Sequence, residues 1–282
     1  MSTLLEPFGY EFFVRALIVA TVSGALCGLI GVYVVLRGMS YIGHGLSHAI
    51  FGGAVASSVL GVNVFLGAGA WGLVAALFIN RVARRRSIGA DAAIGAITSA
   101  SFAIGIILIS MQGSFVVNFE SLLWGNVLGV EPLDVVVVLL VGVAVVALVF
   151  VGYRPLLFST FDPEVAEVSG VHTGRVDLML AVMLTATIAA TMNVLGVTMI
   201  AAMLVIPPVI ARLLTDSFGR MLWMSVVVGT VCCFAGVYGS YYLDWSSGGT
   251  VVLAAAVLFM AAFMWTSLRG RDLPVAATLD TH

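Results

Sequence analysis

The chain has 282 residues, of which 61% are hydrophobic and 9% charged, with a formal net charge of −2; its mean hydropathy is +1.16. An ordinary soluble domain carries about a quarter charged residues, so this composition excludes one. It points instead to an all-α, polytopic helical membrane protein. All twelve basic residues are arginine. A nucleotide-binding P-loop needs the lysine of GxxxxGK[ST], so no such motif can be present.

The apolar runs predict about nine spans, with eight as the alternative, each matching a hydrocarbon core of about 30 Å. The first, Phe12–Leu36, is too long for a signal-peptide core and lacks a basic n-region, so it is expected to stay in the membrane. Gly24 and Gly28 within it form a GxxxG pattern that favours close helix packing.

The second predicted span, Tyr41–Leu60, holds His44 and His48, two of the four histidines in the chain. Positions i and i+4 share one helical face, and paired imidazoles at that spacing can hold one metal ion. Ionisable groups inside a membrane usually line a pathway or cavity. Gly43, Gly45, Gly52 and Gly53 would let neighbouring backbones approach this segment. If His44 opens its helix, the positive end of the helix dipole disfavours a cation there.

The third and fourth spans are Val62–Ile79 and Ala92–Met111, with Asp91 as the expected cap of the fourth. The external loop 112–131 follows. Its Phe119 and Trp124 suit an interfacial segment. The fifth span is Leu133–Tyr153.

The next loop, 158–175, predicts a short helix outside the membrane at about 162–170. Asp162 caps it, Pro163 takes its first position, Glu164 lies in the first turn with Val165 after it, and Gly170 stops it. The segment Val176–Leu214 would be about 58 Å long as one helix, twice the membrane core. A turn is therefore expected at Asn193–Gly196, dividing it into Val176–Val194 and Val197–Leu214. Met221–Leu243 and Thr250–Leu268 complete the nine. Cys27, Cys232 and Cys233 all fall in apolar runs and read as small core residues.

Arginine positions test the count, because cytoplasmic loops are enriched in Lys and Arg. With the N-terminus outside, Arg37, Arg81, Arg84, Arg85, Arg86, Arg154, Arg175, Arg212, Arg220, Arg269 and Arg271 all fall on the cytoplasmic side, and only Arg15 does not.

Several segments resemble one family. GHGLSHAIFGG, with His44 and His48, is similar to the GDALSHAxxPG of ABC-3 permeases, the membrane subunits of ATP-driven zinc and manganese importers. ADAAIG, FDPEVAEVSGV, LVIPPVIARLL and GSYYLDWSSGGTVVL resemble further segments of that family, so the likeness covers nearly the whole chain. The resemblance implies a single permease domain over residues 1–282, with a type II importer-like fold. In it His44 and His48 would meet the transported metal. Asp162, Pro163, Glu164, Val165 and Gly170 would form the coupling helix that docks the ATPase.

It also implies that the chain is a transport subunit rather than an enzyme. Hydrolysis would sit on a separate cytoplasmic ABC ATPase that binds the ATP. Further expected partners are an extracytoplasmic metal-binding protein, a second permease subunit (an identical copy in the first instance) and membrane lipid, with no nucleic acid. The expected location is a bacterial-type inner membrane, crossed many times.

His44 stands where the family usually has an acid. Imidazole suits Zn2+ and carboxylate suits Mn2+, so zinc is the expected cargo, manganese the alternative and iron the third. No resident cofactor is expected. A secondary transporter driven by an ion gradient usually keeps carboxylates at the membrane midplane, and no predicted span has one there. An intramembrane metalloprotease would need HExxH, whereas the residues between His44 and His48 are Gly, Leu and Ser.

Overall fold

The computed structural model describes residues 5–83, 90–112, 123–126 and 129–269. Among them are eleven α-helices. α1 is Glu11–Leu36, α2 Ser40–Val59, α3 Val64–Ala83, α4 Ala90–Gln112 and α5 Pro132–Val151. Two short helices follow, α6 (Tyr153–Phe161) and α7 (Pro163–Val168). α8 is Thr173–Leu195, α9 Val197–Leu214, α10 Phe218–Leu243 and α11 Ser247–Leu268.

Contacts sort the helix ends to two ends of one bundle. At one end, Arg37 after α1 bonds Asp177 at the start of α8. One cavity there is lined together by Tyr41 of α2, Asn80 of α3, Asp91 of α4 and Asp177. Phe218, opening α10, packs on Tyr33 of α1 and Tyr153 of α6. Ala211, near the end of α9, clusters with Val32 of α1 and Met221 of α10.

At the opposite end, Phe13 of α1 meets Tyr241 of α10 edge-on, with ring centroids 5.3 Å apart. Asn193, closing α8, donates to Asp134 at the start of α5 (2.9 Å). Thr198, opening α9, donates to the Leu123 carbonyl (2.7 Å). Gly248 of α11 lies against the Trp124 carbonyl. The nine long helices therefore alternate in direction.

Eight of the nine are long and apolar enough to cross a membrane. α2 is the less apolar ninth, but at 20 residues it rises about 30 Å, and its neighbours require it to run the length of the bundle. Arg37, Arg81, Arg154, Arg175, Arg212 and Arg220 lie in or beside helix ends at the Arg37 end. Arg15, the exception, is near the other end and pairs with Glu11.

Lipid tails are as apolar as leucine, so packing and polar contacts hold such helices together. α1 is the central element, with 78% of its most apolar stretch buried, against 17% for α11. Gly24 and Gly28 bring α10 against α1: a Cβ at either would strike backbone atoms of Gly229 or Ser225. The Ser225 hydroxyl bonds the Gly28 carbonyl at 2.7 Å. The GxxxG expectation thus has a definite partner helix. All three cysteines are buried and unbridged.

Several boundaries differ from the sequence reading. α3 starts at Val64 rather than Val62, because Asn63 Oδ1 accepts from the amides of Phe65 (3.0 Å) and Leu66 (3.2 Å). Asp91 lies inside the first turn of α4 and is not its cap. The fifth span ends at Val151 rather than Tyr153, and the residues after Gly152 form a separate helix, α6, whose last turn lies in the expected loop 158–175. α8 begins at Thr173, so the membrane helix takes up part of the same loop. The expected break at Gly196 is present, with φ +77°. α9 runs unbroken through Pro207 and Pro208.

Candidate metal pathway and coupling helix

α2 opens at Ser40, one turn before His44. The dipole objection weakens accordingly, since the effect fades within the first turn. The His44 and His48 rings lie 4.7 Å apart, centroid to centroid. Tyr41 flanks His44 at 5.8 Å, and the Phe102 ring of α4 meets His48 edge-on at 5.4 Å. His44 is exposed on the outside of the chain and His48 half-buried.

The glycines of α2 explain how the pair is held. A Cβ at Gly52 would strike the Ser101 backbone, one at Gly45 would meet Ile94 and Thr98, and one at Gly53 would meet Trp71. α3 and α4 thus pack closely along one side of α2. Ser47, between the histidines, is buried and donates to the His44 carbonyl at 2.9 Å. It serves the helix and is not presented to an ion. Two imidazoles can supply two nitrogen ligands. Among the described residues, no group of three or more His, Cys, Asp or Glu side chains is placed to hold a metal.

The short helix outside the bundle has the predicted signals. Asp162 Oδ1 accepts from the Val165 amide at 2.9 Å, Pro163 takes the first position and Glu164 the first turn. Gly170 (φ +84°) ends it, with the Val171 amide returning to the Ala166 carbonyl (2.9 Å) and the Gly170 amide to that of Glu167 (3.0 Å). This is the Schellman pattern, which favours glycine. Val165 and Val168 are exposed, 53% and 92% respectively. α7 therefore presents an apolar edge beside Glu164 and away from the bundle.

The sequence reading missed the cluster that ties this region to α2. The Arg37 guanidinium bonds Asp177 (2.7 Å), Ser159 (3.1 Å) and Thr160 (3.3 Å). Its one signal in the sequence is an arginine shortly before the histidine segment, a position that also fits a topology signal.

At the opposite end, residues 123–126, between α4 and α5, are stitched to the α8–α9 break. The Asn126 amide bonds the Asn193 carbonyl at 3.0 Å, and Gly125 and Gly196 lie backbone to backbone. Trp124 is exposed, while Phe119 lies outside the described residues.

Comparison with known proteins agrees with this architecture. The manganese transport system membrane protein MntC of Halalkalibacterium halodurans is 36% identical over 265 residues, covering 94% of this chain and 91% of that one. A probable iron transport system membrane protein of Haemophilus influenzae is 33% identical over 271 residues, covering 96% and 95%. Among solved structures, PsaBC from Streptococcus pneumoniae in complex with Fab superposes with a TM-score of 0.86 at 32% identity, covering 95% of this chain and 99% of that one. Residues 9–266 match the ABC 3 transport family. By sequence, by fold and by nearly its whole length, this chain belongs to that family of multi-pass metal-transport permeases.

Proposed function

We propose that this chain is the membrane-spanning subunit of an ATP-driven importer of a divalent transition metal, with Mn2+ as first cargo and Fe2+ as second. The observation that carries this reading is the His44–His48 pair, 4.7 Å apart on one face of a bundle helix. The relatives above, named for manganese and iron, support that order of cargo and move it away from the zinc expected from imidazole chemistry. One feature still favours Zn2+ as a second reading: two imidazoles stand together with no carboxylate grouped with them among the described residues.

In this reading the ion passes along the outer face of α2. One chain supplies two nitrogens, and the remaining ligands come from water and from a second copy facing the exposed His44. An ion in transit need not be held tightly, since it must also leave. Protons compete with metal for imidazole nitrogen, so uptake falls as the medium is acidified.

The Arg37 end faces the cytoplasm, because the arginines gather there. α7 then docks a separate ABC ATPase, its capped, exposed edge of Val165 and Val168 entering a cleft on that subunit. A metal-binding protein delivers cargo at the opposite, external end, and the assembly sits in a bacterial inner membrane. Radioactive Mn2+, Fe2+ and Zn2+ uptake by cells lacking their own importer tests the reading. Uptake of one or more that needs both this chain and ATP supports it; ATP-independent uptake that follows an ion gradient contradicts it.

A further inference from the structure

The ends of three elements meet at one guanidinium. Arg37 caps the C-terminus of α1, and α2 begins three residues later. The turn between them is closed by its own backbone: the Gly38 amide bonds the Val35 carbonyl (3.1 Å) and the Met39 amide that of Val34 (3.0 Å). Arg37 is thus rigidly joined to the start of the histidine helix.

Its side chain reaches two other elements. It donates to Asp177 in the first turns of α8, and to Ser159 and Thr160 in the last turn of α6. Ser159 and Thr160 are buried, and the Arg37 and Asp177 side chains are only 9% and 19% exposed. Only Asp162 separates α6 from α7, and its amide continues the ladder to the Phe158 carbonyl at 2.9 Å. The far end of α7 is also tied, since Thr173 at the start of α8 donates to Glu167. Arg37, α6, α7 and α8 form a closed ring.

A force on α7 therefore has a short path to α2. Charge-assisted bonds to a planar guanidinium are strong and directional, which suits a joint between moving elements. The first turn of α2 borders a cavity of about 120 Å³, lined by Arg37, by Tyr41 and Ile42 of α2, and by Asn80, Asp91 and Asp177 on the surrounding helices.

We propose that Arg37 is a positioning residue that relays movement of α7 to the histidine helix, so that the state of the ATPase sets the orientation of the His44–His48 pair. The proposal rests on the metal-importer reading above. It adds which side chain joins the energy-coupling element to the ion path.

The test is the number of ATP molecules hydrolysed per Mn2+ ion carried into proteoliposomes by the complete complex of permease and ATPase. Two variants cut the ring at different points. Ser159→Ala/Thr160→Val removes the α6 hydroxyls and leaves the Arg37–Asp177 ion pair. Arg37→Gln/Asp177→Asn removes both charges together, so neither is stranded. A residue needed only for folding would lower assembly, and with it both rates, while their ratio stayed at the parent value. The relay predicts assembled complexes in which the ratio rises by roughly fivefold or more. A rise in either variant, at parental assembly, supports it. Ratios equal to the parent in both, or failure of both to assemble with the ATPase, overturn it. The parent complex separates the two proposals: if the parent itself shows no ATP-dependent metal uptake, the importer reading fails, whatever the variants do.

Discussion

The histidines differ in what surrounds them, and that difference makes predictions. His48 is half-buried against Phe102, while His44 faces outward. Replacing His44 with Asp puts a carboxylate beside an imidazole, a harder pair that favours Mn2+ over Zn2+. His44→Asp is expected to keep transport and to raise the Mn2+:Zn2+ uptake ratio in a competition assay; an unchanged ratio at matched abundance would argue that His44 does not contact the ion. Gly52 is a packing residue by contrast. Gly52→Leu drives a side chain into the Ser101 backbone and should cost about 1–3 kcal/mol, read as a lower melting temperature of the purified chain. The pair was legible because i, i+4 spacing survives any detail of packing. The Arg37 ring was not, because its members are distant in sequence and meet only when α1, α6 and α8 are docked.

Among the elements, α7 is only six residues long and depends on its ends. Isolated helices of that length are unstable in water, so capping and anchoring hold it. Asp162→Ala removes the bond to the Val165 amide and should cost about 1 kcal/mol. Faster amide exchange across residues 163–168 would report it, and unchanged exchange would show that the anchors at Arg37 and Thr173 suffice without the cap. Val165→Asp places a charge on the exposed apolar edge. It is expected to weaken co-purification of the ATPase while leaving the permease folded; full co-purification would remove α7 from the docking surface. Both ends of α7 were readable in the sequence, because Asp-Pro starts a helix and Gly at positive φ stops one. α6 was not readable: its nine residues contain Pro155 and follow directly on a span, and tertiary contacts at Ser159 and Thr160, not hydrophobic periodicity, fix it as a helix.

At the scale of the whole molecule, nine alternating helices with arginines at one end define two faces. Cysteines introduced at Glu6 and Glu164 should label from opposite sides of the membrane, Glu6→Cys from outside. The three native cysteines are buried and should stay silent. Labelling of both positions from one side would contradict the alternation. Composition and arginine placement carried this architecture in the sequence, and the break at Asn193–Gly196 followed from helix length together with Arg175 and Arg212 at its two ends. Helix neighbours were beyond reach, since periodicity shows a packing face but not the partner. That α10 rather than another helix lies on Gly24 and Gly28 follows only from the folded chain.

In the proposed function a divalent metal ion crosses the membrane past His44 and His48. The most direct test of this claim is radioactive Mn2+ uptake by cells carrying the His44→Ala/His48→Ala double variant, compared with the parent at equal membrane abundance and equal ATPase association. Loss of ATP-dependent uptake to the level of cells without the permease is the predicted result. Parental uptake by the double variant would contradict the claim.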